Sequence, residues 1–310
     1  MDEFARIATY FAPLAAAAAR GLADDAAVLT PPAGRELVLT TDQMLEGIHF
    51  LSGDDPALVA RKLLRRNLSD LAAMGATPLG YLLTISLPVT VPETWLASFA
   101  EGLGTDQNLY NIGLLGGDSS SARTDIVLTA TLLGHCAPGQ ALARKGAKPG
   151  DKIFVTGTIG DAALGLQARL GKLNDPSGFL TQRSLLPDPR VGLALAGIAS
   201  AAIDISDGLV QDLGHICHQS GVRAVVNTEA VPCSSQAEAV GPTYLQTRLT
   251  GGDDYELLLA VPPEREAALH LACGDVKVTQ IGLFKAGQGV QLLDGDGQPL
   301  NLTETGWRHF

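Results

Sequence analysis

Asn67-Leu68-Ser69-Asp70-Leu71-Ala72-Ala73-Met74-Gly75-Ala76, closed by Thr77-Pro78, reads as the last turns of a helix opening after Pro56. Gly75 ends it and Pro78 prevents continuation. At a helical period Asp70 projects with Val59, Leu63, Asn67 and Met74, the side expected to face a core. A carboxylate there needs a partner, because an unpaired buried charge is too costly to keep. Two partners are open: Arg66, one turn back, or a metal ion. Past the proline, alternation through Tyr81–Leu87 reads as a buried strand, and Pro92 is placed to start a helix over Glu93–Leu109. The charge-free stretch from Leu71 to Pro92 is therefore read as helix end, turn and strand rather than a membrane span.

Working outward, 310 residues suffice for two domains of ordinary size. A hydrophobic fraction of 46% with 18% charged residues describes a globular chain. The net charge of −11 argues against a nucleic-acid surface, which needs a basic stripe. An acidic protein still binds polyphosphate when divalent cations lie between the two sets of negative charge. Cys136, Cys217, Cys233 and Cys273 are far apart, which suggests reduced thiols in a cytoplasmic setting. Asp2 and Glu3 stand where a signal peptide would be basic and then apolar, so none is expected.

Along the chain, Glu3–Arg20 reads as a short helix padded by an alanine run. Asp24 and Asp25 follow in a turn, either solvated or metal-binding. Leu37-Val38-Leu39-Thr40-Thr41-Asp42 is a strand that runs into hydroxyls and ends on an acid, a common place for ligand groups. His49 sits among apolar neighbours, a setting that suits a structural histidine as well as a functional one. Ile112–Leu115 reads as a strand followed by Gly116-Gly117-Asp118, where glycines admit a ligand and the acid holds a cation, or as a plain turn. Asp125–Leu133 is a further strand.

Gly and Pro mark a boundary near Ala137–Pro149, which also carries Arg144, Lys145 and Lys148, solvated charges or phosphate contacts. After the strand Asp151–Thr156, the turn Gly157–Gly160 feeds a helix whose N-terminus can bind an anion, although it matches neither the P-loop nor the dinucleotide fingerprint. Gly171–Arg190 reads as a loop and helix lead-in. Ile203-Asp204-Ile205-Ser206-Asp207-Gly208 delivers Asp204 and Ser206 to one side of a strand end, with Asp207 where the chain turns. An N-cap explains Ser206 or Asp207 but not Asp204 in an apolar strand. Gly251-Gly252-Asp253-Asp254-Tyr255-Glu256 repeats turn, acids and strand, and Trp307 is either core packing or a stacking surface.

What recurs is aspartate at strand ends and turns. Hard oxygen ligands suit Mg²⁺, which bridges carboxylates and substrate phosphates, and phosphoryl transfer needs positioned charge rather than a nucleophilic side chain. The residues point to a Mg-dependent enzyme acting on phosphates.

The order of motifs adds a resemblance. E-F-x-x-I, D-D-A-A-V-L, T-T-D-x-x-x-E-G-x-H-F, N-L-S-D-L-A-A-M-G-A-x-P, G-G-D-S, R-x-G-A-K-P-G-D, V-T-G-T-x-G-D-A-A-L-G, I-D-I-S-D-G-L, D-L-G-H-I and G-G-D-D-Y-E-L resemble the thiamine-monophosphate kinase family over nearly the whole chain. That family lies in the superfamily of aminoimidazole ribonucleotide synthetase and selenophosphate synthetase. The resemblance implies an α/β (α+β) two-domain synthetase-like fold: residues 1–137 as an ATP- and metal-binding domain that dimerises through its sheet, and 150–310 as an α/β domain. It implies transfer of the ATP γ-phosphate to thiamine monophosphate with several Mg²⁺ ions, by a homodimer with neither nucleic acid nor membrane as partner. By motif, Asp24, Asp25, Thr40, Thr41, Asp42, Asp70, Asp118, Asp204 and Asp207 would hold metal. Tyr110, Gly117, Asp118, Arg144 and Ser206 would meet ATP, and His49, Asp253 and Trp307 the thiamine substrate.

Three positions depart from the family pattern: Ala23 and Ser119 replace the usual glycine and threonine, and Asp253 the usual glutamate, one methylene longer. An aminoimidazole ribonucleotide synthetase-like ATPase is the nearest rival, but the context around His49 and Met74 favours the thiamine reading. A selenophosphate synthetase would carry a reactive cysteine early in the chain, and none precedes Cys136. A silent acidic scaffold is the rival of another class, and retention of the aspartates with Arg144 and His49 speaks against it.

Overall fold

The computed structural model describes residues 3–307. Readings that touched Asp2 and Arg308-His309-Phe310 lie outside them. The chain divides into two compact units: one takes in residues up to Leu71 and Ala76–Gly139, the other Ala72–Gly75 and residues from Gln140 onward.

The first unit begins with a single helical turn, α1 (Glu3–Arg6), and holds a four-stranded sheet: β1 (Glu36–Leu45), β2 (Thr77–Pro88), β3 (Leu114–Ala122) and β4 (Val127–Cys136). The order is β1-β4-β2-β3, with β4 antiparallel to both neighbours and β3 parallel to β2. β4 alternates strictly between buried and half-buried residues, as a sheet covered on one face must. Helix α2 (Pro56–Ala73) lies over β1, where Thr40 donates to Asp70 at 2.5 Å, and α3 (Glu93–Tyr110) lies over β2, where the Tyr81 hydroxyl donates to Gln107 at 2.7 Å. The helices approach closely at Gly102, where a Cβ would stand 2.2 Å from the Ala57 carbonyl. On the other face Leu37, Leu39 and Leu82 are exposed.

The second unit is a seven-stranded mixed sheet, β5 (Lys152–Thr156), β6 (Ala201–Asp204), β7 (Val222–Asn227), β8 (Leu257–Val261), β9 (Val278–Ala286), β10 (Gly289–Leu293) and β11 (Pro299–Leu300), in the order β11-β10-β7-β9-β5-β8-β6. Every residue of β6 and β8 is buried. Ile153, Val155, Ile203, Leu258 and Ala260 face one apolar cluster, and Phe154, Ala202, Leu257, Leu259 and Val261 face the other. Strands buried on both faces read as unbroken apolar runs, which is how this stretch of sequence reads. The helices are α4 (Asp161–Arg169), α5 (Phe179–Leu185), α6 (Leu209–Ser220), α7 (Ser235–Val240), α8 (Leu245–Thr250) and α9 (Glu266–Cys273). Among the described residues no helix is long and apolar enough to cross a membrane.

Three expectations need correction. Glu3–Arg20 is not one helix: α1 gives way to a π turn and two 3-10 segments. Pro13 interrupts the ladder, the Ala16 N–H turns to the Leu114 carbonyl of β3, and Arg20, Gly21 and Leu22 are all left-handed, with φ of 48°, 69° and 58°. Gly116-Gly117-Asp118 is no turn after a strand but the middle of β3, and the stretch 171–190 contains α5.

Candidate active site

In the first unit the expected residues fall into separate groups. Asp24 and Asp25 line a cleft with Gly116, Gly117, Asp118 and Ser119 beside β3, an edge strand. Asp24 also pairs with Arg20 at 3.1 Å. Gly117 is required by packing, because a Cβ would stand 1.8 Å from the Leu83 carbonyl of β2. Thr40 and Asp42 lie on the face of β1 under α2. There Thr40 donates to Asp70, and Arg66 meets Asp42 at 3.3 Å. Of the two partners open for Asp70, the structure adds a third, the Thr40 hydroxyl. Strand alternation turns Thr41 to the opposite face, where it donates to the Ala130 carbonyl and accepts from Thr131.

His49 follows β1. Its Nδ1 accepts the Leu45 N–H at 3.0 Å, so neutral His49 is assigned its proton on Nε2, which makes that nitrogen a donor suited to a phosphate oxygen. Tyr110 ends α3 with the Arg65 guanidinium 5.5 Å from its ring centroid, and Arg65 is fixed by buried Asp106 at 2.6 Å.

In the second unit the residues converge. β6 ends on buried Asp204, and the loop Ile205–Gly208 leads into α6. One oxygen of Asp212, on the first turn of α6, accepts the N–H groups of Ser206, Asp207 and Gly208, each at 3.1 Å. Burial, then the charges of Asp204 and Asp207, hold the Asp212 carboxyl well above the usual range. Ligand atoms of Asp207, Asp212 and His215 lie within 4.8 Å of one another. A crowd of carboxylates fits a hard divalent cation. The exposed Arg144 side chain is on the His215 side of α6, and after burial its charge is the next influence lowering the His215 pKa.

The Gly251–Glu256 loop seals against this one. Asp253 donates its N–H to the Ser206 carbonyl, Tyr255 to that of Ile205, and Gly252 has no room for a Cβ, which would lie 2.1 Å from the Ser206 oxygen. Asp253 holds φ +71° and Tyr255 φ +53°, a strained turn of the kind stored at functional sites, and the Tyr255 hydroxyl donates to Asp253 at 3.0 Å. Trp307 donates its N–H to the Asp207 carbonyl, with 51% of its surface exposed.

The fold and these groups have relatives. Residues 23–136 match the family described as AIR synthase related protein, N-terminal domain, and residues 148–295 its C-terminal domain counterpart. Thiamine-monophosphate kinase of Caulobacter vibrioides is 42% identical over 99% of this chain and 90% of that protein, and that of Salmonella typhimurium 42% over 99% and 98%. The crystal structure of thiamine-monophosphate kinase from Stenotrophomonas maltophilia superposes with a TM-score of 0.82 at 39% identity, covering 90% of this chain and 91% of that one. The chain belongs to the thiamine-monophosphate kinase family. The structure of AaThiL complexed with AMPPCP and TMP superposes with a TM-score of 0.80 at 32% identity, covering 93% of this chain and 91% of that one.

Membership in the kinase family makes this chain an enzyme, and sequence reading passed over several residues that shape its site. Asp212 is one of them, although an acid four residues after Gly208 is placed to reach back to the loop N–H groups. At the Gly157–Gly160 turn the place expected for an anion is taken by the protein's own carboxyl group: Asp254 accepts from Gly160 at 2.6 Å and Ala162 at 3.2 Å. Glu256, fully buried, is clamped by Nε and Nη2 of Arg190, each at 2.6 Å, and by the Thr156 hydroxyl at 2.7 Å.

Proposed function

We propose that this kinase uses Mg²⁺ to move the γ-phosphoryl group of ATP directly to a phosphate oxygen of thiamine monophosphate, the last step of thiamine diphosphate synthesis. The acceptor oxygen forms a bond to the γ-phosphorus as the bond to the ADP oxygen breaks, giving thiamine diphosphate and ADP. No covalent side-chain nucleophile takes part. AMPPCP is an ATP analogue, and its presence with TMP in a relative supports the pair of substrates. The observation that carries the chemistry is the crowding of Asp204, Asp207 and Asp212 around one loop, a charge density that calls for cations.

Asp24, Asp25, Thr40, Thr41, Asp42, Asp70 and Asp118 of the first unit, and Asp204 and Asp207 of the second, would hold several Mg²⁺ ions. When bound, the ions would offset phosphate charge. Thr41 would take part through its backbone oxygen, since its hydroxyl is turned away. Tyr110, Gly117, Asp118, Arg144 and Ser206 are assigned to ATP, with Arg144 free to reach phosphate oxygens. His49, through its Nε2 proton, Asp253, aimed by Tyr255, and Trp307, as a stacking surface, are assigned to thiamine monophosphate.

The working form is read as a homodimer. Asp42 on β1 and Asp118 on β3 stand at opposite edges of the sheet with two strands between, about 14 Å at ordinary strand spacing. Register puts Asp118 beside Thr84, on the face opposite to Asp42. That face exposes Leu37, Leu39 and Leu82, an apolar surface a second copy would cover. The division of labour is read as residues 1–137 for metal, ATP and dimerisation, and 150–310 for the remaining contacts. Cys136, Cys217, Cys233 and Cys273 are all unpaired thiols, which fits work in the cytoplasm.

The test is turnover of purified protein with ATP, Mg²⁺ and thiamine monophosphate, products separated by chromatography. Thiamine diphosphate and ADP should appear in equal amounts and vanish with EDTA. ADP without thiamine diphosphate would contradict the acceptor assignment.

A further inference from the structure

Gln211 joins Asp207 to Trp307 through a single side-chain amide. Its Nε2 donates to Asp207 Oδ2 at 2.9 Å and to the main-chain oxygen of Trp307 at 2.8 Å. The Trp307 N–H returns to the Asp207 main-chain oxygen at 3.0 Å, which closes a ring of three hydrogen bonds. An amide NH₂ carries two hydrogens, so both donations are made without competition. Gly306 permits the approach: a Cβ there would lie 2.5 Å from the Gln211 Cβ and 2.7 Å from its Oε1.

We propose that Gln211 is a positioning residue that couples the cation-binding carboxylate of Asp207 to the acceptor-binding indole of Trp307. Cation on one side and thiamine monophosphate on the other then strengthen each other's binding. The inference rests on the assignments of Asp207 to metal and Trp307 to substrate made above. A ligating carboxylate is oriented by the donors on its outer side, and Gln211 holds Oδ2 while leaving the rest of the group available. The indole is half-exposed, and its backbone is bonded at both N–H and C=O to the pair 207 and 211. Whatever fixes the Asp207 carboxylate therefore fixes the tail, and the coupling acts equally in both directions.

The chain has two tryptophans, so Trp95→Phe leaves Trp307 as the sole fluorophore. In that background Mg²⁺ is titrated in the presence of AMPPCP while acrylamide quenching of Trp307 and the heat of binding are recorded. Mg²⁺ should protect Trp307 when Gln211 is present and not in Gln211→Met, which keeps the length but has no donor. Gln211→Met should raise the KM for thiamine monophosphate and half-saturating Mg²⁺ about ten-fold, with kcat within about two-fold, as loss of hydrogen bonds near a charged group predicts. Gly306→Ala crowds the Gln211 side chain as well as the tail, so it should raise the KM and half-saturating Mg²⁺ together. Protection that survives in Gln211→Met, or an unchanged KM in that variant, overturns the coupling. Mg²⁺ binding that leaves Trp307 quenching untouched in the Gln211 protein overturns the coupling while the metal assignment stands. No heat of Mg²⁺ binding overturns both.

Discussion

Asp254 shows how far one buried side chain can act from its place in sequence. It fills the N-terminus of α4 from 94 residues beyond Gly160, and it is wholly buried. Burial dominates its titration and pushes the carboxyl from 3.8 up to about 8, with the N–H groups of Gly160 and Ala162 pulling the other way. Between those two values the folded protein keeps a proton that the unfolded chain releases. The stability this group contributes is complete below about pH 4 and is lost as pH rises through about 8, by at most about 1.4 kcal/mol per pH unit over the window. Denaturant unfolding of Asp254→Asn should therefore show a shallower decline in stability from pH 5 to pH 8 than the parent protein. An identical slope would mean that Asp254 is ionised throughout. The glycine-rich turn was legible as an anion-binding helix start, but nothing local in the sequence said that a distant aspartate carboxyl fills it.

At the scale of elements, β3 carries the clearest lesson. Gly116-Gly117-Asp118 reads naturally as a turn that admits a ligand, yet Gly117 lies within the strand because β2 passes too close for a side chain. Gly117→Ala should force β2 and β3 apart and cost about 1–3 kcal/mol in denaturant unfolding of the first unit, the range for overpacking. A loss within about 0.5 kcal/mol would return the glycine to a purely ligand-facing role. Helix α2 was legible because apolar period, terminal glycine and following proline agree, and β1 because branched residues alternate into Thr40, Thr41 and Asp42. The segment from Glu3 to Arg20 was not, because its course is set by a tertiary contact: the alanines favour helix, but Ala15 and Ala16 pair with Leu114 of β3. The loops around Asp204 and Asp253 were each visible as acids at strand ends. Their mutual hydrogen bonds, and the hold of Asp212 on one of them, came only with the fold.

For the molecule as a whole, the sheet of the first unit sets the problem the active form must solve. Its candidate metal carboxylates are divided between two edges and two faces, and its uncovered face exposes Leu37, Leu39 and Leu82. The homodimer proposed above would solve both, by covering the leucines and by bringing the Asp118 of one chain to the Asp42 of another. The resemblance implied a homodimer, but the apolar patterning of the strands gave no sign of it, since an interface strand and a core strand read alike. The most direct measurement is turnover by mixed dimers of Asp42→Asn and Asp118→Asn, each inactive alone. Unfolding and refolding the two together should restore roughly a quarter of the parent rate, because half the dimers pair unlike chains and each has one intact site. No recovery above either variant alone, with mixed dimers present, would place both aspartates in the site of a single chain and contradict the account.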